Sequence, residues 1–441
     1  MSSNASRLLL GGFYDTILVR FVGEIGIKSE KVRRRLINRL ATCIKNQLER
    51  KRILGLSISI THARLFLSIK DPSSVEAVHE ILQRIPGIHS FSYCAVLQLD
   101  LERVHERAVS LARLLFQEAA SFAVRVTRDG THEFSSQSLS RDVGSTILDS
   151  LSDMHPRVDL TTPAVTIYIE VRDTTVLLYH EKHDGFGGMP RDVSSPVLGC
   201  IGLAPASWEA CGLVIKRGAN LHPVFLHRIG LMDAHASTTI DTKALAEALN
   251  ADPGIVSQVF QLLDMQEENL VRITIVPITK EIDEWLAHEH VSSNSRAVAA
   301  VLGLMIPALV HARVLSHSAG RPRKAMDFKA IVSEYAPHPF AESSPGALEW
   351  IQTLGTAVET MMPAGLPALP ILFPLIPGRM ATDDRAVIPS SNAMFTRDDK
   401  ILFDLLRRPS TRDELSILLR RAVDQQRVLQ FDMINRRFLS R

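Results

Sequence analysis

Apolar and polar positions along the first hundred residues follow two different periods. TILVRF (16–21), ILGLSISI (53–60), ARLFLSI (63–69) and the run from Ile88 to Leu99 read as strands, with a turn near Thr61-His62. Between them the spacing lengthens. Val32, Leu36, Ile37, Leu40, Ile44 and Leu48 fall on one stripe of a helix predicted from Glu30 to Arg52. A second helix is predicted from Ser73 to Ile85, closed by Pro86-Gly87. This β-α-β-β-α-β order is that of a ferredoxin-like α+β unit.

The pattern then continues as helix 100–120, strand 121–128, helix 138–151 and strands 165–171 and 175–180, the last two joined through Arg172-Asp173. Gly185 to Pro190 is a breaker and an expected linker. Beyond it, PVLGCIG, HPVFLH and VRITIVPI alternate with helical stretches at 242–250, 281–288 and 296–315, which predicts a doubly wound parallel sheet. The Pro-rich region 337–377 gives no clear assignment. In the tail, a helix at 399–407 and a capping box at Thr411-x-x-Glu414 precede two short strands. That pattern fits a winged helix or a packing appendage. The expected fold class is multidomain α/β, with an α+β domain at 1–98, a second α/β domain at 99–186, a parallel-sheet domain at 187–390 and a C-terminal unit at 391–441.

Composition narrows the function. With 441 residues, 46% of them hydrophobic, the chain can bury several cores. Its apolar runs at 297–310 and 361–376 hold prolines and fall short of the roughly 18–20 residues of a spanning helix, so no membrane role is expected. The N-terminus is too weak for a secretory signal, which makes the expected location cytoplasmic. The four cysteines and sixteen histidines show no metal spacing, so no metal is expected. Charge is unevenly spread. Residues 1–98 hold fifteen Lys/Arg against seven Asp/Glu, a net of +8 in a chain whose total is +2. A basic first domain points to a polyanion.

The motifs ILVRFVGEIGIK, FAVRVTR, RDVGSTIL, VDLTTPAVTIYIEV and GFGGMP occur in the order of the tRNA 4-thiouridine synthetase (ThiI-like) family, which this chain resembles over roughly residues 14–320. The resemblance implies a ferredoxin-like domain, a THUMP RNA-binding domain and a PP-loop ATP-pyrophosphatase domain. It also implies tRNA as partner, bound at the acceptor stem. One departure is an extra Val22 after Arg20-Phe21, expected to bulge the strand end and re-aim Arg20.

The larger departure lies in the PP-loop. The family's Ser-Gly-Gly-x-Asp-Ser falls on Gly202-Leu203-Ala204-Pro205-Ala206-Ser207, where Ser207 alone is kept. Leu203 and Ala204 put Cβ atoms where glycines would let the backbone approach phosphate, and Pro205 lacks an N–H. Ala206 replaces a carboxylate suited to Mg²⁺. The segment 291–296 has no cysteine, none follows Cys211 in this sequence, and Phe373 stands where the family carries arginine. A degenerate, inactive nucleotide site is therefore expected, with no catalytic residue and no cofactor.

RNA binding is expected from Arg20, Lys28, Lys31, Arg34 and Arg35 in the first domain, whose helix offers a row for phosphate contact. The resemblance adds Arg125, Arg128, Ser135, Ser138, Arg141, Lys182, Gly187 and Gly188, with pairing of Arg141 to Asp142 or Glu170 as its alternative. Aromatic residues make up 6%, which suits structured RNA better than single strands. The leading reading is an accessory or scaffold factor in tRNA modification, able to present tRNA to a separate modifying enzyme, with a homodimer allowed. Two other readings stay open: an active sulfurtransferase with an atypical site that uses ATP and Mg²⁺, and a protein-interaction subunit that binds no RNA.

Overall fold

The computed structural model describes residues 12–53, 56–61, 64–69, 71–116, 120–202, 205–227, 241–264, 270–293, 296–318, 328–332, 345–362, 371–372 and 397–440. The chain forms two compact units, Met1–Pro190 and Arg191–Arg441. Among the described residues no helix is long and apolar enough to cross a membrane.

The N-terminal unit begins with β1 (Thr16–Phe21), a short α1 (Gly23–Gly26), α2 (Glu30–Arg50), β2 (Ser57–Thr61), β3 (Arg64–Ser68), α3 (Val75–Arg84) and β4 (Ile88–Gln98). It continues with α4 (Leu101–Leu115), β5 (Ser121–Asp129), α5 (Ser136–Ser150), β6 (Arg157–Val158), β7 (Val165–Arg172), β8 (Thr175–Tyr179) and β9 (His183–Asp184). Leu36, Ile37, Leu40, Ile44 and Leu48 of α2 are buried along the predicted stripe. Strand order β2-β3-β1-β4 is the expected ferredoxin-like arrangement.

The two modules expected at 1–98 and 99–186 share one sheet. β4 is eleven residues long and pairs with β1 over its first part. Its last residues, Ala95 to Gln98, pair with β8, so the order runs on as β4-β8-β7-β5-β6 in a nine-stranded sheet. The strand end after Arg20 is irregular as expected, but the extra residue is His89 of β4, because Arg20 faces Ser90 and Phe21 faces Ile88.

The glycine-rich linker is not a free hinge. Gly187 N donates to Ile88 O at 2.7 Å, and Gly87 N donates to Gly187 O at 2.7 Å. Gly187 and Gly188 adopt φ of 73° and 72°, values that favour glycine. Gly185 passes so close to β4 that a Cβ there would lie 2.3 Å from Ile88 O. Close approach at Gly185 and positive φ at Gly187 and Gly188 explain these glycines.

The C-terminal unit contains β10 (Val197–Ile201), α6 (Pro205–Lys216), β11 (Leu221–His227), α7 (Thr242–Asn250), α8 (Pro253–Leu263), β12 (Leu270–Pro277), α9 (Lys280–His288) and α10 (Arg296–Ser318). β13 (Ile331–Val332), α11 (Pro345–Met361), β14 (Ile371–Leu372), α12 (Arg397–Arg407), α13 (Pro409–Asp424), β15 (Arg427–Asp432) and β16 (Arg437–Leu439) follow. Parallel strands stand in the order β14-β13-β10-β11-β12. The chain steps outward from β10 to β12 and then returns to the other side of β10. The C-terminal end of fully buried β10 therefore sits at the switch point where doubly wound sheets bind ligands.

The tail is not a separate winged helix. β15 pairs antiparallel with β12 and β16 with β15, extending the main sheet. Leu402, Leu405, Leu415 and Leu419 of α12 and α13 lie in the same core cluster as Leu198 and Val224. The expected capping box at Thr411 is also absent. Pro409 occupies the first turn of α13, and the Thr411 hydroxyl, already inside the helix, donates to the carbonyls of Leu405 and Arg408. Beyond the outer strand β16, the Asn250 side chain exchanges two hydrogen bonds, of 3.0 and 2.8 Å, with the backbone of Phe438 and occupies its edge.

Candidate nucleic-acid interface

Lys31, Arg34, Arg35 and Asn38 are spaced i, i+3, i+4, i+7 along α2, opposite its buried stripe, and line an open groove of about 530 Å³ with Glu30. The three cations are exposed and make no ion pair with a described residue. Lys28 and the highly exposed Ile27 (83%) precede the helix in the turn after α1. This row is the charge pattern expected of a phosphate-contacting helix.

A second group forms where β5 runs into α5. Ser135 is the N-cap of α5, and its hydroxyl accepts from Ser138 N at 2.9 Å while Ser138 Oγ accepts from Ser135 N at 3.0 Å. Both serines are thus engaged as helix caps, worth about 1 kcal/mol. Arg128 is exposed at the strand end, with Nη1 donating to His132 O at 3.3 Å. Arg141, one turn into α5, is exposed and pairs with neither Asp142 nor Glu170.

The third group lies on the sheet face opposite the buried Ile167, Ile169 and Val171 of β7. Tyr168, Glu170 and Arg172 point there by strand alternation. Glu170, 6% exposed, receives Arg172 at 2.6 Å, Arg20 at 3.5 Å and Arg64 at 3.8 Å. Arg20 donates to Ser92 Oγ at 3.0 Å and stands 4.8 Å above the Tyr179 ring. Tyr179 is stacked on Tyr168 at 5.1 Å, and Lys182 Nζ lies 4.4 Å from the Tyr168 ring centre. Arg125 neighbours Tyr168 across the β5–β7 ladder and reaches Leu160 O at 3.1 Å, while Arg172 also pairs with Asp129 at 3.1 Å.

The electrostatics follow from this crowding. Burial works against the Glu170 charge, but Arg172, Arg20 and Arg64 outweigh it and hold the carboxyl below its ordinary range. Burial, then the neighbouring Arg172, lowers the Arg64 guanidinium. Burial, with Arg20 and Arg125 nearby, lowers the Lys182 ammonium. Arg20 was expected to contact RNA, re-aimed by the extra Val22. It is instead largely enclosed, its side chain 11% exposed, because it reaches across the face to Glu170.

In the C-terminal unit, strand–loop–helix geometry is present at β10–α6, with Leu203 and Ala204 outside the described residues. Gly202 has φ of 104°, and a Cβ there would lie 2.6 Å from both Leu226 O and the Phe225 ring. Pro205 opens α6, Ala206 is half-buried and Ser207 is buried. The backbone at 202 is thus packed against the end of β11, and the serine the family carries there has no room. Cys200 and Cys211 are buried free thiols, with Cys211 Sγ 3.7 Å from Cys200 O. Among the described residues no group of His, Cys, Asp and Glu could hold a metal.

The fold and these sites define a protein with a ferredoxin-like module joined to an RNA-binding THUMP module. Residues 16–92 match the ThiI ferredoxin-like domain and residues 99–181 the THUMP domain. Over its N-terminal half the chain is similar to proteins of the ThiI-like family. It is 32% identical over 225 residues to a probable tRNA sulfurtransferase of Methanosarcina acetivorans, covering 51% of this chain and 53% of that protein. A tRNA sulfurtransferase of Pectobacterium atrosepticum is 32% identical over 227 residues, covering 48% and 45%. The chain spans about half the length of these curated relatives. A 4-thiouridine synthetase solved with RNA and bound ATP shares the fold, with a TM-score of 0.56 over 95% of this chain and 99% of that one at 16% identity. PH1313 from Pyrococcus horikoshii gives 0.52 over 82% and 95% at 20% identity.

Of the residues expected from sequence, the structure gathers Arg20, Arg125 and Lys182 on one face and Arg128, Ser135, Ser138 and Arg141 around the start of α5. Arg64, Tyr168, Glu170, Arg172 and Tyr179 were missed. The polar alternation Thr166, Tyr168, Glu170, Arg172 within an otherwise apolar strand was the available signal.

Proposed function

We propose that this chain is a tRNA-binding factor of tRNA modification, which grips the acceptor stem through its N-terminal unit and no longer carries out ATP-dependent chemistry in its C-terminal unit. The observation that carries the reading is the uncompensated cationic row of α2 beside a THUMP domain. Structured RNA presents a regular array of phosphates, and a fixed row of Lys and Arg exchanges with its counterions without requiring base readout. The group at the start of α5 would add contacts to phosphates near the RNA end.

Three features support the loss of nucleotide chemistry: the closed approach at Gly202, the missing N–H at Pro205 and the missing carboxylate at Ala206. A tRNA held without chemistry would be passed to a separate modifying enzyme. A second reading, an active sulfurtransferase with ATP and Mg²⁺, draws on the strand–loop–helix geometry at the switch point and on the names of the relatives.

Two measurements separate these readings. Binding of a tRNA transcript that weakens steeply with salt supports the first part. A thermal shift with ATP–Mg²⁺ that disappears in Ser207→Ala would overturn the second part and establish the active-enzyme reading.

A further inference from the structure

We propose that the outer edge of β2 is a self-association site, at which a second copy of this chain adds its own β2 antiparallel about a two-fold axis through Ser59. The inference does not rest on RNA binding and concerns a surface outside the three cationic groups.

Three observations carry it. First, the edge is open. β2 is the terminal strand of the nine-stranded sheet, and among the described residues its outer side pairs with no strand. Other outer strands offer less: β6 and β14 have two residues each, and the Asn250 side chain occupies the edge of β16. Ser57 to Thr61 carry none of the devices that protect an edge, with no charge, no proline and no bulge against β3. Second, the inner face of β2 is uncovered. Ile58 and Ile60 stand opposite Leu67 and Leu65 of β3, both fully buried, so all four side chains lie on one face of the sheet. Ile60 is nevertheless 44% exposed, and the apolar layer that β3 shares with the core ends half-covered. Third, the strand is complementary to itself. Turned about Ser59, the run Ser-Ile-Ser-Ile-Thr sets Ile58 against Ile60 of the second copy, Ser59 against its own equivalent and Ser57 against Thr61.

The backbone agrees with that register. Thr61 and Arg64 are the last pair before the turn, where an antiparallel ladder closes with a hydrogen-bonded pair. Alternation then directs the N–H and C=O groups of Ser57, Ser59 and Thr61 toward β3, and those of Ile58 and Ile60 outward. An axis through Ser59 makes each Ile58–Ile60 pair a hydrogen-bonded one and leaves the two Ser59 residues as the closer, non-bonded pair. A strand of another protein would satisfy the same backbone groups; agreement of side chains and register under one axis is what favours a second copy. One short strand per copy buries little area, so the pairing is weak and reversible. Residues 1–98 carry a net +8, which opposes it, and added salt strengthens it, the opposite of the effect on RNA binding.

The test is disulfide trapping in the full chain. All four native cysteines are buried, so a single introduced thiol reports on its own surroundings. Ser59→Cys places two thiols at the axis, in the close pair of an antiparallel ladder and within disulfide reach. Ser57→Cys, also exposed, puts them roughly 14 Å apart along the strands, beyond that reach. Under a mild oxidant, the expected result is a covalent dimer of Ser59→Cys that forms at least about ten-fold faster than one of Ser57→Cys and faster still at high salt. Adding Ile60→Lys should slow the trapping roughly ten-fold, by placing a charge on the edge. Ile60 is exposed, and circular dichroism checks that this variant keeps its fold. Equal trapping of both cysteines would mark random collision and overturn the inference. No trapping of Ser59→Cys, or trapping that Ile60→Lys leaves unchanged, would overturn it as well, and each of these outcomes leaves the RNA-binding reading intact.

Discussion

In the N-terminal unit, cations that local folding does not need stand exposed in ordered rows, on α2, at the start of α5 and beside Tyr168. In the C-terminal unit a strand and a helix flank the switch point of the sheet, and the approach to Gly202 at the end of the strand is closed. Leu226 and Phe225 occupy the space above Gly202, and Pro205 removes a donor. On the proposed reading, the fold keeps its layers, because they are held by a distributed core, after the few residues that do chemistry have changed. Binding surfaces made of many weak contacts lose function gradually; a cradle made of a few backbone groups loses it at once.

The largest effect on this contrast should come from Glu170→Ala. It leaves three partly buried guanidiniums without their shared carboxylate, and destabilises the N-terminal unit by about 3–5 kcal/mol. A denaturant melt in which the C-terminal unit is unaffected checks it. Gly202→Ser, which restores the family's residue, should cost the C-terminal unit about 2–4 kcal/mol and yield no ATP binding, because positive φ and a blocked Cβ act together.

Acid should separate the two units more gently. Burial lowers His180 and His183 to about 4 in the N-terminal unit, and His222 to about 4 in the C-terminal unit, where it hydrogen-bonds Thr274. Unfolded histidine titrates near 6.5 and takes up protons that the folded state refuses. The contribution is therefore complete above about pH 6.5 and is lost as pH falls toward 4, at about 1.4 kcal/mol per pH unit for each histidine. Unfolding midpoints measured at pH 7 and pH 5 should fall further for the N-terminal unit. The smallest effect is expected from Ser135→Ala, which removes the α5 cap at about 1 kcal/mol and leaves the fold intact by circular dichroism.

Local periodicity made most of the layers legible. The α2 stripe, the ferredoxin-like order and the parallel strands β10, β11 and β12 each follow from residues within one element. What the sequence could not display was convergence. Glu170 meets Arg20 and Arg64 across more than a hundred residues, so Arg20 read as an RNA contact when its charge was already engaged. The glycines of 185–188 read as a linker because close packing and free rotation use the same residue. The C-terminal hairpin read as an appendage because its partner, β12, lies some 150 residues earlier. The face around Tyr168 was within reach, since its polar residues alternate in a buried strand.

The measurement that tests the central claim most directly is binding of the purified chain to whole tRNA and to an acceptor-stem minihelix, each across a salt titration. The account predicts similar affinity for both, a steep salt dependence, and a loss of roughly three units of slope in Lys31→Gln/Arg34→Gln/Arg35→Gln. Binding absent at low salt, or unchanged in that variant, would contradict it.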